Sequence, residues 1–172
     1  MDPAVPVHTH PLAQPPAASS RLSRYLVAPL LLLVAALLAL RAAGALGVSP
    51  LADWPTAGRF ALAVMFAFTA AAHFGRQKED LVRMVPTWML SPRRVIAITG
   101  VLELLGGLGL LLPITAPLAG ICLAVLLMAM FPANVNAARR QVMIGGKPAT
   151  PLWFRTLIQV VFIAALLWVT LS

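Results

Sequence analysis

The sequence has few charged residues and only one cysteine. Asp, Glu, Lys and Arg make up 10% of its 172 residues, whereas a soluble domain carries about 25%. Cys122 alone cannot form a disulfide within the chain, a CxxC redox pair or a cysteine metal site. The motifs HExxH, GxSxG and GxGxxG are also absent. We therefore predict no metal site, and any redox chemistry must use electrons carried by a cofactor or a partner.

The sequence contains five long apolar runs. They cover residues 25–46, 56–74, 95–112, 116–138 and 152–171. A helix needs about 20 apolar residues to cross a bilayer, and each run is close to that length. The apolar residues are continuous and do not alternate, which excludes a membrane β-barrel. The sequence therefore predicts an all-α, polytopic membrane protein that is embedded in the lipid bilayer.

The N-terminal residues have a different composition. Residues 1–24 are rich in Pro, Ala and Ser and lack apolar periodicity, which predicts a disordered tail. The run at 25–46 is either a retained transmembrane helix or a signal peptide, because Ala43-Gly44-Ala45 resembles a cleavage site. The long tail and the position of Arg41, between the apolar run and that site, favour a retained helix.

The basic residues predict an orientation. If all five runs cross the bilayer, 11 of the 13 Lys and Arg lie on one side. The other side receives only Arg41 and Arg59. The positive-inside rule then places the N-terminus in the cytoplasm and the C-terminus outside the inner (plasma) membrane. This asymmetry and attraction to anionic lipid account for the net charge of +8, so we predict no nucleic-acid partner.

One charged residue lies in the middle of an apolar run. A carboxylate at the depth of Glu103 costs about 2.5 kcal/mol or more unless it meets a partner or water. Thr99, Gly100, Gly106 and Gly107 are three or four positions away and are expected to share its helical face. Small residues let a second helix approach closely. We predict that Glu103 faces another helix, either as a structural carboxyl or as a catalytic group.

Two further polar residues are predicted at a similar depth. His73 ends the second run, and its near-neutral pKa in solution suits proton transfer. Asn134 ends the fourth run after Pro132, where it either lines a pocket or satisfies backbone groups at a kink. Because successive runs alternate in direction, His73, Asn134 and Glu103 belong to the same cytoplasmic half. We predict that they line one pocket.

The loop from 76 to 92 lies at the same end. Leu81, Met84, Val85 and Trp88 recur at helical spacing, and Pro86 interrupts the pattern. This predicts an amphipathic segment on the membrane surface, which serves as a connector or as a lid over the pocket. The predicted site comprises two catalytic candidates and four ligand-binding candidates. The catalytic candidates are Glu103 and His73, and the ligand-binding candidates are Asn134, Thr69, Thr99 and Met84.

Four stretches together resemble bacterial DoxX-like membrane proteins. They are MFAFTAAAHF at 65–74, DLVRMVP at 80–86, GVLELLGG at 100–107 and MFPANV at 130–135. The resemblance covers about residues 59–169 and implies a four-helix membrane domain at 56–171, with the helix at 25–46 as an addition. Glu103 matches the family's glutamate in its Gly-rich third run. Many members have a Lys near the position of His73-Phe74, where this chain has none.

The resemblance and the residues leave three functions open. Some DoxX-like relatives are small subunits of a thiosulfate:quinone oxidoreductase, which implies a redox accessory subunit acting with a quinone or a redox protein partner. An internal acid in a membrane bundle equally suits a binding protein or isomerase for a small apolar molecule. The third alternative is a structural or assembly scaffold. Homo-oligomerisation, the substrate and enzymatic activity itself stay open at this level.

Overall fold

The computed structural model describes residues 24–89, 91–144 and 146–172, and these are mostly helical. The predicted disordered tail, 1–24, lies outside the described residues except for Arg24, which begins the first helix. The helices are α1 (Arg24–Ala45), α2 (Trp54–Phe74), α3 (Lys78–Met84), α4 (Pro92–Leu111), α5 (Ala116–Arg139) and α6 (Leu152–Leu171). A 3-10 helix spans Ser49–Ala52, and two short strands are β1 (Met143–Ile144) and β2 (Lys147–Pro148).

Five of these helices have the length and composition of membrane spans. They are α1, α2, α4, α5 and α6, so the predicted set of five apolar helices is confirmed. Their outward faces carry large apolar side chains that are well exposed, such as Leu31, Leu105 and Leu118. Helix α2 has the largest buried share of the five. Apolar outer faces around a packed interior are compatible with a multi-pass membrane protein.

Four helices form a closed ring. Helix α2 packs on α4, α4 on α5, α5 on α6, and α6 returns to α2, while α1 lies along α2. The interior of the ring is apolar. Its fully buried large side chains are Leu62, Met65, Phe66, Leu110, Leu123 and Leu166. Gly100, near the start of α4, lies against His73, near the end of α2, so the C-terminal end of α2 lies beside the N-terminal end of α4.

Glycines set the close approach of α4 to its neighbours. A Cβ on Gly100 would lie 2.6 Å from Cβ of His73, and one on Gly107 would lie 3.3 Å from Cβ of Phe66. Both glycines therefore face α2, as predicted for the face of Glu103. Gly106 does not, because a Cβ there would meet the side chain of Leu123 on α5 at 2.6 Å. The predicted single glycine face was wrong for this residue.

A small second cluster closes the end of the ring near His73. Met84 of α3 packs with Ala137, Ile144 and Ala149, which come from α5 and the β1–β2 hairpin. Nδ2 of Asn136 donates to the Met84 carbonyl at 2.9 Å and fixes α3 on α5. Part of the predicted segment is thus helical, over Lys78–Met84, with Met84 buried and Arg83 exposed; its position on a membrane surface stays a prediction. The same face does not extend to Trp88, which is 71% exposed and follows the break at Pro86.

At the opposite end, α1 and α2 are joined by a polar contact. Nη1 of Arg41 donates to the Leu51 carbonyl at 2.9 Å and also to the Ala52 carbonyl. The guanidinium lies over the ring of Trp54, 4.4 Å from its centroid, in a cation–π arrangement. The hypothetical cleavage site, Ala43 to Ala45, forms the last turn of α1 beside this contact.

Candidate functional site

A pocket of about 200 Å³ lies within the bundle toward its α3 end. We call it the central pocket. It is lined by side chains from all five long helices, from α3 and from β1, and most of these side chains are apolar. Its polar lining residues are Thr69, His73, Gln77, Glu103, Asn134, Arg155 and Gln159. Apart from Gln77, which precedes α3, the polar residues fall into two groups, one on α2 and α4 and the other on α5 and α6.

The first group is built around His73, which is 3% exposed. Nδ1 of His73 lies 2.9 Å from the Ile96 carbonyl, which has no proton to donate. We therefore assign the proton to Nδ1, which donates to that carbonyl. The Thr99 hydroxyl also donates to the Ile96 carbonyl, at 3.0 Å, and its oxygen is 3.2 Å from Nδ1. These contacts fix both the tautomer and the orientation of the imidazole.

The other ring nitrogen of His73 faces Glu103. Nε2 is 3.6 Å from Oε1 of Glu103, and both side chains are almost fully buried. If neither group held a proton there, two lone pairs would face each other in an apolar site. A proton on Nε2 or on the carboxyl of Glu103 would remove this repulsion. The second carboxyl oxygen, Oε2, is buried and has no hydrogen-bond partner among the described residues.

The second group is a directed chain of hydrogen bonds. Nη1 of Arg155 donates to Oδ1 of Asn134 at 3.0 Å, and Nδ2 of Asn134 donates to Oε1 of Gln159 at 3.1 Å. Nε2 of Gln159 then donates to the Leu127 carbonyl at 2.9 Å. Nε of Arg155 donates to the Thr150 carbonyl at 3.2 Å. Arg155 is 4% exposed, so this guanidinium is a buried charge held by neutral acceptors.

The structure brings most of the predicted site residues together. Glu103, His73, Asn134, Thr69 and Met84 all line the central pocket. Thr99 is not part of the lining and contacts Nδ1 of His73 from behind. The Thr69 hydroxyl donates to the Phe66 carbonyl of its own helix at 3.1 Å. The roles given to these residues, catalytic or ligand-binding, stay predictions.

At the α3 end, the structure excludes one of the two alternatives for Asn134 and buries a basic residue. Asn134 does not satisfy the backbone near Pro132, because its side chain bonds to Arg155 and Gln159. Helix α5 runs through Pro132 to Arg139, and the neighbouring Leu127 carbonyl is satisfied by Gln159 from α6. Arg155, one of the 11 basic residues assigned to the cytoplasmic side, is buried in the first turn of α6.

Sequence reasoning missed Arg155 and Gln159 as site residues. They lie four positions apart in an otherwise apolar helix, and that spacing places both side chains on one helical face. A polar pair with this spacing inside a span is the same signal that identified Glu103. Arg155 contributed only to the count of basic residues on one side, because it lies three residues after the start of the run.

Other reactive groups do not add to this site. Within the described ranges, no group of three or more His, Cys, Asp and Glu residues is arranged to hold a metal ion. Cys122 is exposed on α5, away from the central pocket.

The fold and site define a helical protein with five helices of membrane-spanning length around a small, mostly apolar pocket with buried polar groups. Residues 62–170 match the family described as Domain of unknown function (DUF8561), and the chain belongs to that family. The match begins within α2 and includes every polar residue of the central pocket. No curated protein and no solved structure matches the chain.

Proposed function

We propose that this protein binds a small, mostly apolar molecule in the central pocket of a multi-pass membrane bundle. One observation carries the proposal: Oε2 of Glu103 is buried at the pocket and lacks a partner among the described residues. Leaving a buried polar atom without a hydrogen bond costs about 1–3 kcal/mol. A ligand with a donor or a polar group at this position removes that cost. The Glu103–His73 pair, with its one proton, is placed to exchange a proton with the same ligand.

The alternative of a purely structural carboxyl accounts for less of the geometry. A carboxyl that only fastens α4 to α2 would be expected to use both oxygens in interhelical hydrogen bonds. Here only Oε1 lies near a partner, at 3.6 Å from His73, which is longer than a normal hydrogen bond. Catalytic contacts are often long before substrate binds and shorten in the complex. Glu103 and His73 therefore remain our catalytic pair.

A redox accessory subunit is the second candidate. A single-ring quinone has two acceptor oxygens, and the central pocket offers donors on two walls, Arg155 on α6 and the protonated Glu103–His73 pair on α4 and α2. Arg155 would bind one carbonyl, and the pair would hold or supply a proton near the other. When bound, a quinone would supply the electron chemistry that a chain with one cysteine lacks. A redox protein partner would then exchange the electrons.

The membrane placement belongs to the same proposal. We place the protein in the inner (plasma) membrane, with the α3 end of the bundle in the cytoplasm and the C-terminus outside. The charge asymmetry supports this, because Arg76, Arg93, Arg94, Arg139 and Arg140 all lie at the α3 end and are exposed. The α2–α4–α5–α6 ring with α1 added is also the arrangement that the DoxX-like resemblance implies.

The binding proposal can be tested with two matched variants. Ala72 lines the central pocket, whereas the adjacent Ala71 is exposed on the outer side of α2. Ala72→Leu should reduce the space for a ligand, and Ala71→Leu should leave it unchanged. The full chain is purified in a mild detergent, and the molecules that co-purify with it are compared by mass spectrometry and absorbance. A bound molecule that is lost only in Ala72→Leu supports the proposal. Identical co-purifying molecules in both variants and the unchanged protein would refute it.

A further inference from the structure

We infer that the ligand of the central pocket is a small organic acid that binds as a monoanion, with its acid group on Arg155. This inference rests on the proposed binding function and specifies the chemical class of the ligand. It comes from the charges that line the pocket, the unused donors of the guanidinium and the volume of the pocket.

Arg155 places a positive charge on one side of the pocket. Among the described residues, it donates to the Thr150 carbonyl and to Oδ1 of Asn134, and both are neutral. In the part of the chain that the structure describes, no carboxylate lies within salt-bridge distance of this guanidinium. An arginine remains protonated in proteins. The α5–α6 side of the pocket therefore carries one full positive charge without a counter-charge.

The opposite side of the pocket is formed by α2 and α4, and its charge depends on Glu103 and His73. The carboxyl of Glu103 would balance Arg155 only if Glu103 were ionised beside a neutral His73. Because Nδ1 carries the proton that meets the Ile96 carbonyl, Nε2 would then face the carboxylate with a lone pair. One further proton, on Nε2 or on the carboxyl, removes this repulsion, and with it the pair is neutral as a whole. The remaining polar lining residues, Thr69, Gln77, Asn134 and Gln159, are uncharged.

The positive charge of Arg155 requires a counter-charge in the pocket. The pocket lining has a net charge of +1, in a bundle whose outer faces are apolar. A buried charge without a partner is strongly unfavourable, and intramembrane cations are usually paired or face water. A bound anion would supply the missing counter-charge. A neutral ligand would leave the charge of Arg155 unbalanced.

The donors and the volume define the anion further. Two of the five N–H groups of Arg155 have partners among the described residues, which leaves donors for a planar acid group such as a carboxylate. The pocket volume of about 200 Å³ is somewhat larger than that of a cavity of about 150 Å³ that holds benzene. The pocket therefore suits a carboxylate attached to one ring or to a short branched chain. The apolar lining, including Phe68 and Phe162, would contact the body of this molecule.

The test compares benzoate with benzamide, which has nearly the same shape but no charge. The full-length protein is reconstituted in lipid nanodiscs, and binding of each probe is measured by calorimetry at neutral pH. We expect benzoate to bind at least about tenfold more tightly, because charge-assisted hydrogen bonds are roughly twice as strong as neutral ones. Equal affinities, or tighter binding of benzamide, would overturn the anion inference while leaving the binding proposal intact. Binding of neither probe would also overturn it.

A matched pair of variants locates the charge effect. Asn134→Asp places a carboxylate where Oδ1 now accepts from Nη1 of Arg155 at 3.0 Å, so it should neutralise the guanidinium and abolish the preference for benzoate. Asn136→Asp adds the same charge two residues away, at a side chain that bonds to Met84 and does not line the central pocket. The Asn136→Asp variant should retain the preference for benzoate over benzamide. Loss of preference in both variants, or in neither, would contradict the assignment of the anion to Arg155. The comparison of benzoate with benzamide on the unchanged protein tests the inference even if neither variant folds.

Discussion

Nε2 of His73 and Oε1 of Glu103 lie 3.6 Å apart in the interior of a bundle with five apolar helices. The opposite face of the imidazole is fixed by the Ile96 carbonyl and the Thr99 hydroxyl, both from α4. His73 on α2 therefore contacts α4 on both of its ring nitrogens. The two side chains bring α2 and α4 together at the wall of the central pocket.

The first prediction concerns the energy of this contact. Glu103→Gln and His73→Gln should each destabilise the protein, and the double variant should cost less than the sum of the two. We expect a coupling energy of about 0.6–2 kcal/mol, the range found for hydrogen bonds between membrane helices. It can be measured by unfolding in mixed detergent micelles. Strictly additive effects would show that the two side chains do not interact.

The second prediction concerns helix approach at Gly100. Gly100→Ala would bring its Cβ within 2.6 Å of Cβ of His73, which cannot move without α2. We expect it to cost about 1–3 kcal/mol, as overpacking does, and to disturb the Glu103–His73 contact. Thermal unfolding of the reconstituted variant would measure the cost.

Gly106→Ala is its control on the same helix. The new Cβ would also come within 2.6 Å of a neighbour, but the atoms it meets are Cγ and Cδ2 of Leu123, which lie further along a side chain that can change rotamer. Its cost should be clearly smaller than that of Gly100→Ala. A larger cost at Gly106 would show that α4 packs more rigidly on α5 than on α2.

The third prediction concerns pH and the start of α2. Oδ2 of Asp53 accepts from the backbone N–H and the hydroxyl of Thr56, both at 2.9 Å. These hydrogen bonds lower the pKa of Asp53 from its ordinary value of 3.8. A lowered carboxyl pKa stabilises the folded state above the unfolded pKa, and this stabilisation is lost as the pH falls through the folded pKa.

Asp53→Asn retains a capping oxygen but does not titrate. The thermal midpoint of the unchanged protein should therefore fall toward that of Asp53→Asn as the pH is lowered from about 5 to about 3. Differential scanning fluorimetry across this range would measure both proteins. A constant difference between them would mean that the Asp53 carboxylate does not stabilise the N-terminus of α2.

The fourth prediction concerns orientation. In a Cys122→Ala background, Thr87→Cys lies at the α3 end and Ile114→Cys lies in the connection between α4 and α5, and both positions are exposed. In intact cells, a membrane-impermeant maleimide should label Ile114→Cys and leave Thr87→Cys unlabelled. Labelling of both after cell lysis is the control. The reverse pattern in intact cells would place the α3 end outside.

The spans could be predicted closely because their signal is local. The run predicted at 56–74 became the helix Trp54–Phe74, and the run at 152–171 became Leu152–Leu171. Length and continuous hydrophobicity are properties of the chain itself, and they need no knowledge of neighbours. The depth of Glu103, His73 and Asn134 followed from the same runs, since alternating spans fix which residues share one half of the bundle.

The partners of these residues could not be predicted in the same way. Asn134 was expected to serve either a pocket or the kink at Pro132, and only the packing of α5 on α6 places Gln159 and Arg155 within reach of its side chain. The separation of Gly106 from Gly100 and Gly107 has the same origin. Each faces whichever helix packs on its side of α4, and helical spacing alone does not specify the neighbour.

The contact between Arg41 and the turn after α1 bears on how the chain enters the bilayer. A guanidinium near the end of an apolar helix resists burial, but Arg41 bonds to the carbonyls of Leu51 and Ala52 and lies over Trp54. All of these partners lie within 13 residues of Arg41 in the sequence. The guanidinium is therefore solvated in part by groups of its own hairpin, without a contribution from α4, α5 or α6. Helices α1 and α2 can thus be inserted as one pair, which leaves α2 in place as the surface on which the rest of the ring assembles.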